Sequence, residues 1–220
     1  MRYSEARERL IESLRREVRD QRVLEAMRTV PREAFVPPDL ASSAYADIAL
    51  PIGDGQTISQ PMIVGVMLEA LALQPEDKVL DVGTGSGYQA AVLSRLAAKV
   101  VSVERVQGLA ERSRRTLRLL GYTNVQVHDA TDELGWPADA PYDAIVVAAA
   151  APSVPPSLVA QLGEGGRLVI PVGPPHDQNL VRVTETATGT EVAWLGPCRF
   201  VHLIGAEGWP DDELPPEPVI

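Results

Sequence analysis

The sequence predicts an α/β protein with a mostly parallel sheet, a C-terminal antiparallel hairpin and helices on both faces. Three observations carry that expectation. Apolar, β-branched runs near 78–82, 99–103, 124–128, 143–148 and 167–171 alternate with helical patterns near 88–97, 106–119 and 155–162. Strands separated by helices pair in parallel through right-handed crossovers. Near the end, Leu180-Val181-Arg182-Val183-Thr184 and Glu191-Val192-Ala193-Trp194-Leu195 flank Thr188-Gly189, a hairpin pattern. Finally, Val79-Leu80-Asp81-Val82 runs straight into Gly83-Thr84-Gly85-Ser86-Gly87-Tyr88, which reads as a buried strand, a glycine turn and a helix start.

The elements follow in order. Residues 4–18 read as a helix with Leu10, Ile11, Leu14 and Val18 on one face. The charges around them suit a solvated face. A second helix spans 21–29 and stops before Pro31. Phe35-Val36-Pro37-Pro38 is irregular. Residues 50–61 are rich in turn formers but also carry Ile and Thr. A helix follows from Pro61, with proline at its first position, to about Leu71.

The glycine turn and the next strand end, Val100-Val101-Ser102-Val103-Glu104, together describe a nucleoside-binding βαβ unit. Glycines leave backbone bare for a ligand to approach. Glu104, seventeen residues beyond Gly87, can accept both hydroxyls of a ribose. The spacing is G-x-G-x-G, not the G-x-G-x-x-G that seats a dinucleotide pyrophosphate.

Composition narrows the classes. The chain has 220 residues and a formal net charge of −10, with 45% hydrophobic and 23% charged residues. That length allows one well-packed domain and a small appendage. The acidic balance argues against nucleic acid as a partner. No apolar run reaches the roughly 18 residues of a membrane span. The Arg- and Glu-rich start has no apolar signal core, so the expected setting is cytoplasmic. Cys198 stands alone and the three histidines are far apart, so no disulfide and no metal site are expected. Glycine at position 85 occupies the place where a nucleophile elbow needs serine, which removes a serine hydrolase.

The turn Asp81 to Gly87 resembles motif I of class I S-adenosylmethionine methyltransferases, whose sheet is Rossmann-like. The segment Asp54-Gly55-Gln56-Thr57-Ile58-Ser59-Gln60-Pro61 narrows this further. It resembles the signature loop of protein-L-isoaspartate O-methyltransferases. The likeness continues through Arg32-Glu33-Ala34-Phe35-Val36-Pro37, Ser102-Val103-Glu104-Arg105, the stretches 141–152 and 162–173, and Arg199-Phe200-Val201, covering roughly 20–205.

The resemblance implies methyl transfer from S-adenosyl-L-methionine to the free α-carboxylate of an L-isoaspartyl residue in damaged proteins or peptides. S-adenosyl-L-homocysteine is the product, and the ester then collapses to a succinimide. By resemblance Ser59 holds the essential position. Asp81, Gly83, Gly85, Ser86, Gly87, Glu104, Asp129 and Ala130 then bind the cofactor. Thr57, Ile58, Arg199, Phe200, Val201 and His202 border the substrate. The family's Gly-Asp-Gly turn after the third strand is missing; Thr131 or Asp129 could stand at its acidic position, and Asp129 directly follows the strand. His202 stands where the family commonly has proline, as an added substrate donor or an ordinary strand-edge histidine. Three rival readings share the pattern: a carboxyl methyltransferase for a dedicated aspartyl peptide, a non-catalytic binding module, and a NAD-dependent dehydrogenase. The expected organisation is a helical segment with the substrate loop over 1–60, the methyltransferase core over 61–206, and a flexible acidic, Pro-rich tail over 207–220. A monomer is expected.

Overall fold

The computed structural model describes residues 3–210. Two helices, α1 (Ser4–Leu14) and α2 (Gln21–Thr29), open the chain, followed by short 3-10 helices over Arg32–Phe35 and Pro38–Ser43. Strands β1 (Leu50–Gly53) and β2 (Gln56–Ile58) then form a small antiparallel hairpin. The core contains α3 (Pro61–Ala70), β3 (Lys78–Val82), α4 (Tyr88–Leu93), β4 (Lys99–Glu104), α5 (Gln107–Leu119) and β5 (Val125–Asp129). It continues through β6 (Tyr142–Val147), α6 (Pro156–Val159), β7 (Leu162–Val172), β8 (Gln178–Thr186) and β9 (Gly189–Cys198).

Among the described residues, seven strands form one sheet in the order β5-β4-β3-β6-β7-β8-β9. The five strands from β3 to β7 pair in parallel, and β8 and β9 add antiparallel. Successive side chains on a strand face opposite ways. Val79, Val100, Ala144, Val146 and Val169 therefore pack into one core with α1 to α5. Leu80, Val101, Val103, Ile145, Val147, Leu168 and Ile170 pack into the other, with Leu158 of α6 and Trp136.

The chain leaves β3 for β4 on one side and returns to β6 on the other. That reversal opens a crevice at the carboxyl ends of β3 and β6, where ligands bind in such sheets.

Some expected bounds shift. The first helix ends at Leu14; the Glu17 and Val18 amides fold back on the Leu14 carbonyl, yet Val18 stays buried. The helix after the glycine turn stops at Leu93, because the amides of Leu96 and Ala97 both close on the Leu93 carbonyl. Residues 155–162 supply only one helical turn, and β7 starts at Leu162. The turn-rich stretch 50–61 contains the β1–β2 hairpin, which reverses through Gly53, Asp54 and Gly55, all at positive φ. The expected flexible tail lies, from residue 211, outside the described residues; Glu207 still packs against the core, accepting the Ser157 amide at 3.1 Å.

Candidate active site

The crevice is a cavity of about 1070 Å³. One wall is the glycine turn, with Gly83, Thr84, Gly85, Ser86, Tyr88 and Gln89. The turn hangs from the neighbouring strand: the amides of Gly83 and Thr84 both donate to the Val103 carbonyl, at 2.9 and 3.1 Å. Glu104 closes it. Its Oε2 accepts the Gly85 amide at 2.7 Å and Oε1 accepts the Val106 amide at 2.8 Å. A carboxylate offers about four lone pairs, so Glu104 keeps acceptor capacity toward the cavity that it lines.

A second wall comes from residues 130–135, held from behind by Gln161. The Gln161 side chain accepts the Trp136 amide at 2.9 Å and donates to the carbonyls of Leu134 and Ser157 at 2.8 and 3.0 Å. Gly135 sits against it at φ +83°, where an added Cβ would lie 2.6 Å from the Gln161 amide oxygen.

The third wall is the hairpin and the turn into α3: Gln56, Thr57, Ile58 and Ser59. Ile52 of the hairpin reaches over Gly85, and Arg112 of α5 holds the hairpin by the Ile52 carbonyl at 3.2 Å and the Asp54 carboxylate at 3.0 Å. Val201, His202, Leu203 and Glu207 complete the opening. Gln178 seats this last strip. It accepts the Phe200 amide at 2.6 Å and donates to the Phe200 carbonyl at 3.0 Å. Ala150 then bonds Val201 and Leu203 on either side of His202, whose ring meets Trp209 edge-on at 5.9 Å.

The expected site residues divide accordingly. Gly83, Gly85, Ser86, Glu104, Ala130, Thr57, Ile58, Ser59, Val201 and His202 all line one cavity. Five do not. Asp81 lies beneath the turn, fully buried, with its carboxylate accepting from Gln89 at 2.8 Å and from Ser102 at 2.7 Å. Burial pushes it up to about 6, countered in part by those two hydrogen bonds. Its link to the cavity is Gln89, which lines it, because alternation on β3 points Asp81 into the protein. Gly87 is set against α5: an added Cβ would lie 3.2 Å from Ser113 and 3.3 Å from Leu117, and φ is +89°. Packing and backbone conformation alone require glycine there. Asp129 turns to Arg114, with an ion pair at 2.8 Å, which leaves Ala130, Thr131, Asp132 and Glu133 on the cavity wall. Arg199 is exposed, and Phe200 is buried in the helical-side core.

Residues that the sequence reading passed over are polar groups in apolar company. Gln161 interrupts the run Leu158-Val159-Ala160, and Gln178 ends a loop before the apolar stretch from Leu180. Lone glutamines beside such runs are the available signal. Arg32 is a third case. Among the described residues, no group of three or more His, Cys, Asp or Glu side chains is placed to hold a metal ion, and no helix is long and apolar enough to cross a membrane.

Comparisons with known proteins identify the family and the fold. The family model described as Protein-L-isoaspartate(D-aspartate) O-methyltransferase matches residues 5–208. Protein-L-isoaspartate O-methyltransferase 1 of Syntrophobacter fumaroxidans is 51% identical over 209 residues, covering 94% of this chain and 98% of the relative. Protein-L-isoaspartate O-methyltransferase 2 of Pelobacter propionicus is 56% identical over 196 residues, covering 88% and 87%. A solved protein-L-isoaspartate O-methyltransferase superposes with a TM-score of 0.82 at 30% identity, over 92% of this chain and 67% of that one. A Plasmodium falciparum structure described as a putative enzyme of the same kind, in complex with S-adenosyl-L-homocysteine, gives 0.76 at 28% identity, over 87% and 95%.

Proposed function

The chain belongs to the protein-L-isoaspartate(D-aspartate) O-methyltransferase family, and we propose that it works from a single cavity, with Glu104 at the cofactor end and Ser59 at the acceptor end. The enzyme is a protein carboxyl O-methyltransferase. It methylates the α-carboxylate of L-isoaspartyl residues, and the resulting ester opens the way to a succinimide and so to repair. The observation that carries the site assignment is that Ser59 and the Gly85–Glu104 pair line the same cavity, although they are far apart in the chain.

S-adenosyl-L-methionine, when bound, supplies an electrophilic methyl on a sulfonium sulfur. The residues present fit it. Glu104 is an acceptor for ribose hydroxyls at the strand end, Gly83 and Gly85 present bare backbone, and Ala130 to Gly135 offer a slot beside them for the base. The acceptor is a carboxylate and is already ionised at pH 7, so no side chain has to remove a proton. Ser59 donates its hydroxyl to one carboxylate oxygen and leaves the other free to attack. Thr57, Ile58, Val201 and His202 flank the peptide. Ile52 packs over Gly85 and steadies the glycine turn. Alignment is therefore the main task of the protein.

The setting we propose is a cytoplasmic monomer acting on damaged proteins, with no nucleic acid or membrane partner; the net charge of −10 supports the exclusion of nucleic acid. The division into a substrate segment over 1–60, a core over 61–206 and a tail over 207–220 remains our proposal for its organisation.

The test is labelled-methyl transfer to an isoaspartyl peptide and its aspartyl twin. Labelling confined to the isoaspartyl peptide, and lost in Ser59→Ala, is the expected result. Equal labelling of the twins would reject the specificity, and an active Ser59→Ala would reject the role of Ser59.

A further inference from the structure

Arg32 is 0% exposed, and among the described residues no carboxylate lies within ion-pairing distance of it. Burying a guanidinium without a paired carboxylate is costly unless its donors are bonded. Its bonds are specific. Nε donates to the Ala44 carbonyl at 2.9 Å, and Nη2 donates to the Ser59 carbonyl at 2.8 Å. The guanidinium lies 4.8 Å from the centre of the Tyr88 ring, a cation–π contact. Nη1 has no hydrogen-bond partner in the described protein. Ser59 and Tyr88 both line the cavity, one on the acceptor side and one on the cofactor side.

Asp47 grips the same turn from another side. Its Oδ1 accepts the Met62 amide at 2.8 Å, and its Oδ2 accepts the Gln60 side-chain amide at 3.1 Å. Residues 59–62 are thus held by a buried cation at the Ser59 carbonyl and by a carboxylate at Gln60 and Met62. Burial pulls the Arg32 pKa down, and Tyr88 and Asp47 oppose that pull. An apolar side chain of similar volume would fill the space more cheaply, but it could not fix the orientation of a turn that carries a polar group.

We propose that Arg32 and Asp47 are positioning residues for methyl transfer, clamping the Ser59–Met62 turn so that the Ser59 hydroxyl meets the acceptor carboxylate in the line of attack. The proposal rests on the assignment of Ser59 made above. Positioning acts on the transition state, since a small misplacement of a reacting group can lower the rate on the order of a hundredfold.

The experiment compares Arg32→Lys, Arg32→Ala and Asp47→Ala with the intact protein. It reads kcat and KM for an isoaspartyl peptide, S-adenosylmethionine affinity by calorimetry, and Tm. The expected result is a kcat lowered about tenfold or more, with cofactor affinity held within about threefold. Added ethylguanidine should restore part of the kcat of Arg32→Ala at concentrations that leave Tm unmoved. Wild-type kcat in the folded variants would overturn the proposal. So would kcat and cofactor affinity falling together, which marks a purely structural role. If the Arg32 variants fail to fold, Asp47→Ala decides by the same criteria. Ser59→Ala is run alongside. Full activity there removes both the Ser59 assignment and this inference, whereas an inactive Ser59→Ala beside fully active clamp variants removes this inference alone.

Discussion

Glu104 ties the glycine turn after one strand to the end of the next: its Oε2 accepts the Gly85 amide at 2.7 Å, and its other oxygen accepts that of Val106. The carboxylate that the sequence marks as a ribose acceptor is therefore also a strut for the turn that lines the cavity. In Glu104→Gln an amide N–H would confront one of those two backbone donors. Hydrogen bonds to charged groups contribute about 1.5–3 kcal/mol, so S-adenosylmethionine should bind roughly tenfold to a hundredfold more weakly. Calorimetry on the folded variant checks this, and an unchanged Kd would refute it.

Gln178 holds the strip that we propose borders the peptide. Its side chain satisfies both the amide and the carbonyl of Phe200. Gln178→Ala leaves two buried backbone groups unpaired, a cost of about 1–3 kcal/mol apiece. The strip bearing Val201 and His202 should loosen. Tm should fall and KM for the isoaspartyl peptide should rise, while cofactor affinity changes little. A lower Tm with an unaltered peptide KM would show that the strip does not border the substrate.

Asp81 makes stability depend on pH. Burial raises its carboxyl to about 6 from an ordinary value of 3.8. The native state therefore holds this proton more tightly than the unfolded chain does. The resulting stabilisation is complete below about pH 4 and is lost as pH rises through about 6, with a size on the order of 3 kcal/mol. In Asp81→Asn this contribution should vanish. Urea unfolding of both proteins between pH 4 and pH 7 would show it as a difference in slope, and parallel curves would contradict it.

Gly87 should not tolerate a methyl group. Its φ of +89° disfavours any L side chain, and a Cβ would press on Ser113 and Leu117. Gly87→Ala is expected to cost about 2 kcal/mol or more, read as a lower Tm. Gly55→Ala has the positive φ but open space around it, so its loss should be smaller. Equal losses would mean that packing on α5 is irrelevant.

His202 lines the cavity, half-buried beside Trp209. His202→Pro should change peptide KM by roughly tenfold or less, an effect of about 1 kcal/mol, with cofactor affinity retained. Competition between isoaspartyl peptides with different flanking residues reads the change. No shift for any peptide would leave His202 as a strand-edge residue.

The sequence by itself determined the sheet and the glycine turn, and it marked Glu104 and the Ser59 loop, which the structure brings to one cavity. Those signals are local: strand alternation, closely spaced glycines in a tight turn and a carboxylate at a strand end are properties of a few adjacent residues. The β1–β2 hairpin was less legible because its two strands are very short and its turn residues dominate the pattern. Tertiary structure alone decided which polar groups face the cavity and which face inward. Asp81 and Asp129 look like cofactor ligands in one dimension. The first is drawn under the turn by Gln89 and Ser102, and the second is drawn aside by Arg114. Arg32, Gln161 and Gln178 show the converse, since each is an ordinary polar residue until distant backbone comes within reach. A buried polar side chain must find partners wherever the fold brings them. Beyond the nearby carbonyls of Ser157 for Gln161 and Pro175 for Gln178, those partners lie 12 and 27 residues away for Arg32, 25 and 27 for Gln161 and 22 for Gln178, so a lone glutamine beside an apolar run is the most that the local pattern displays.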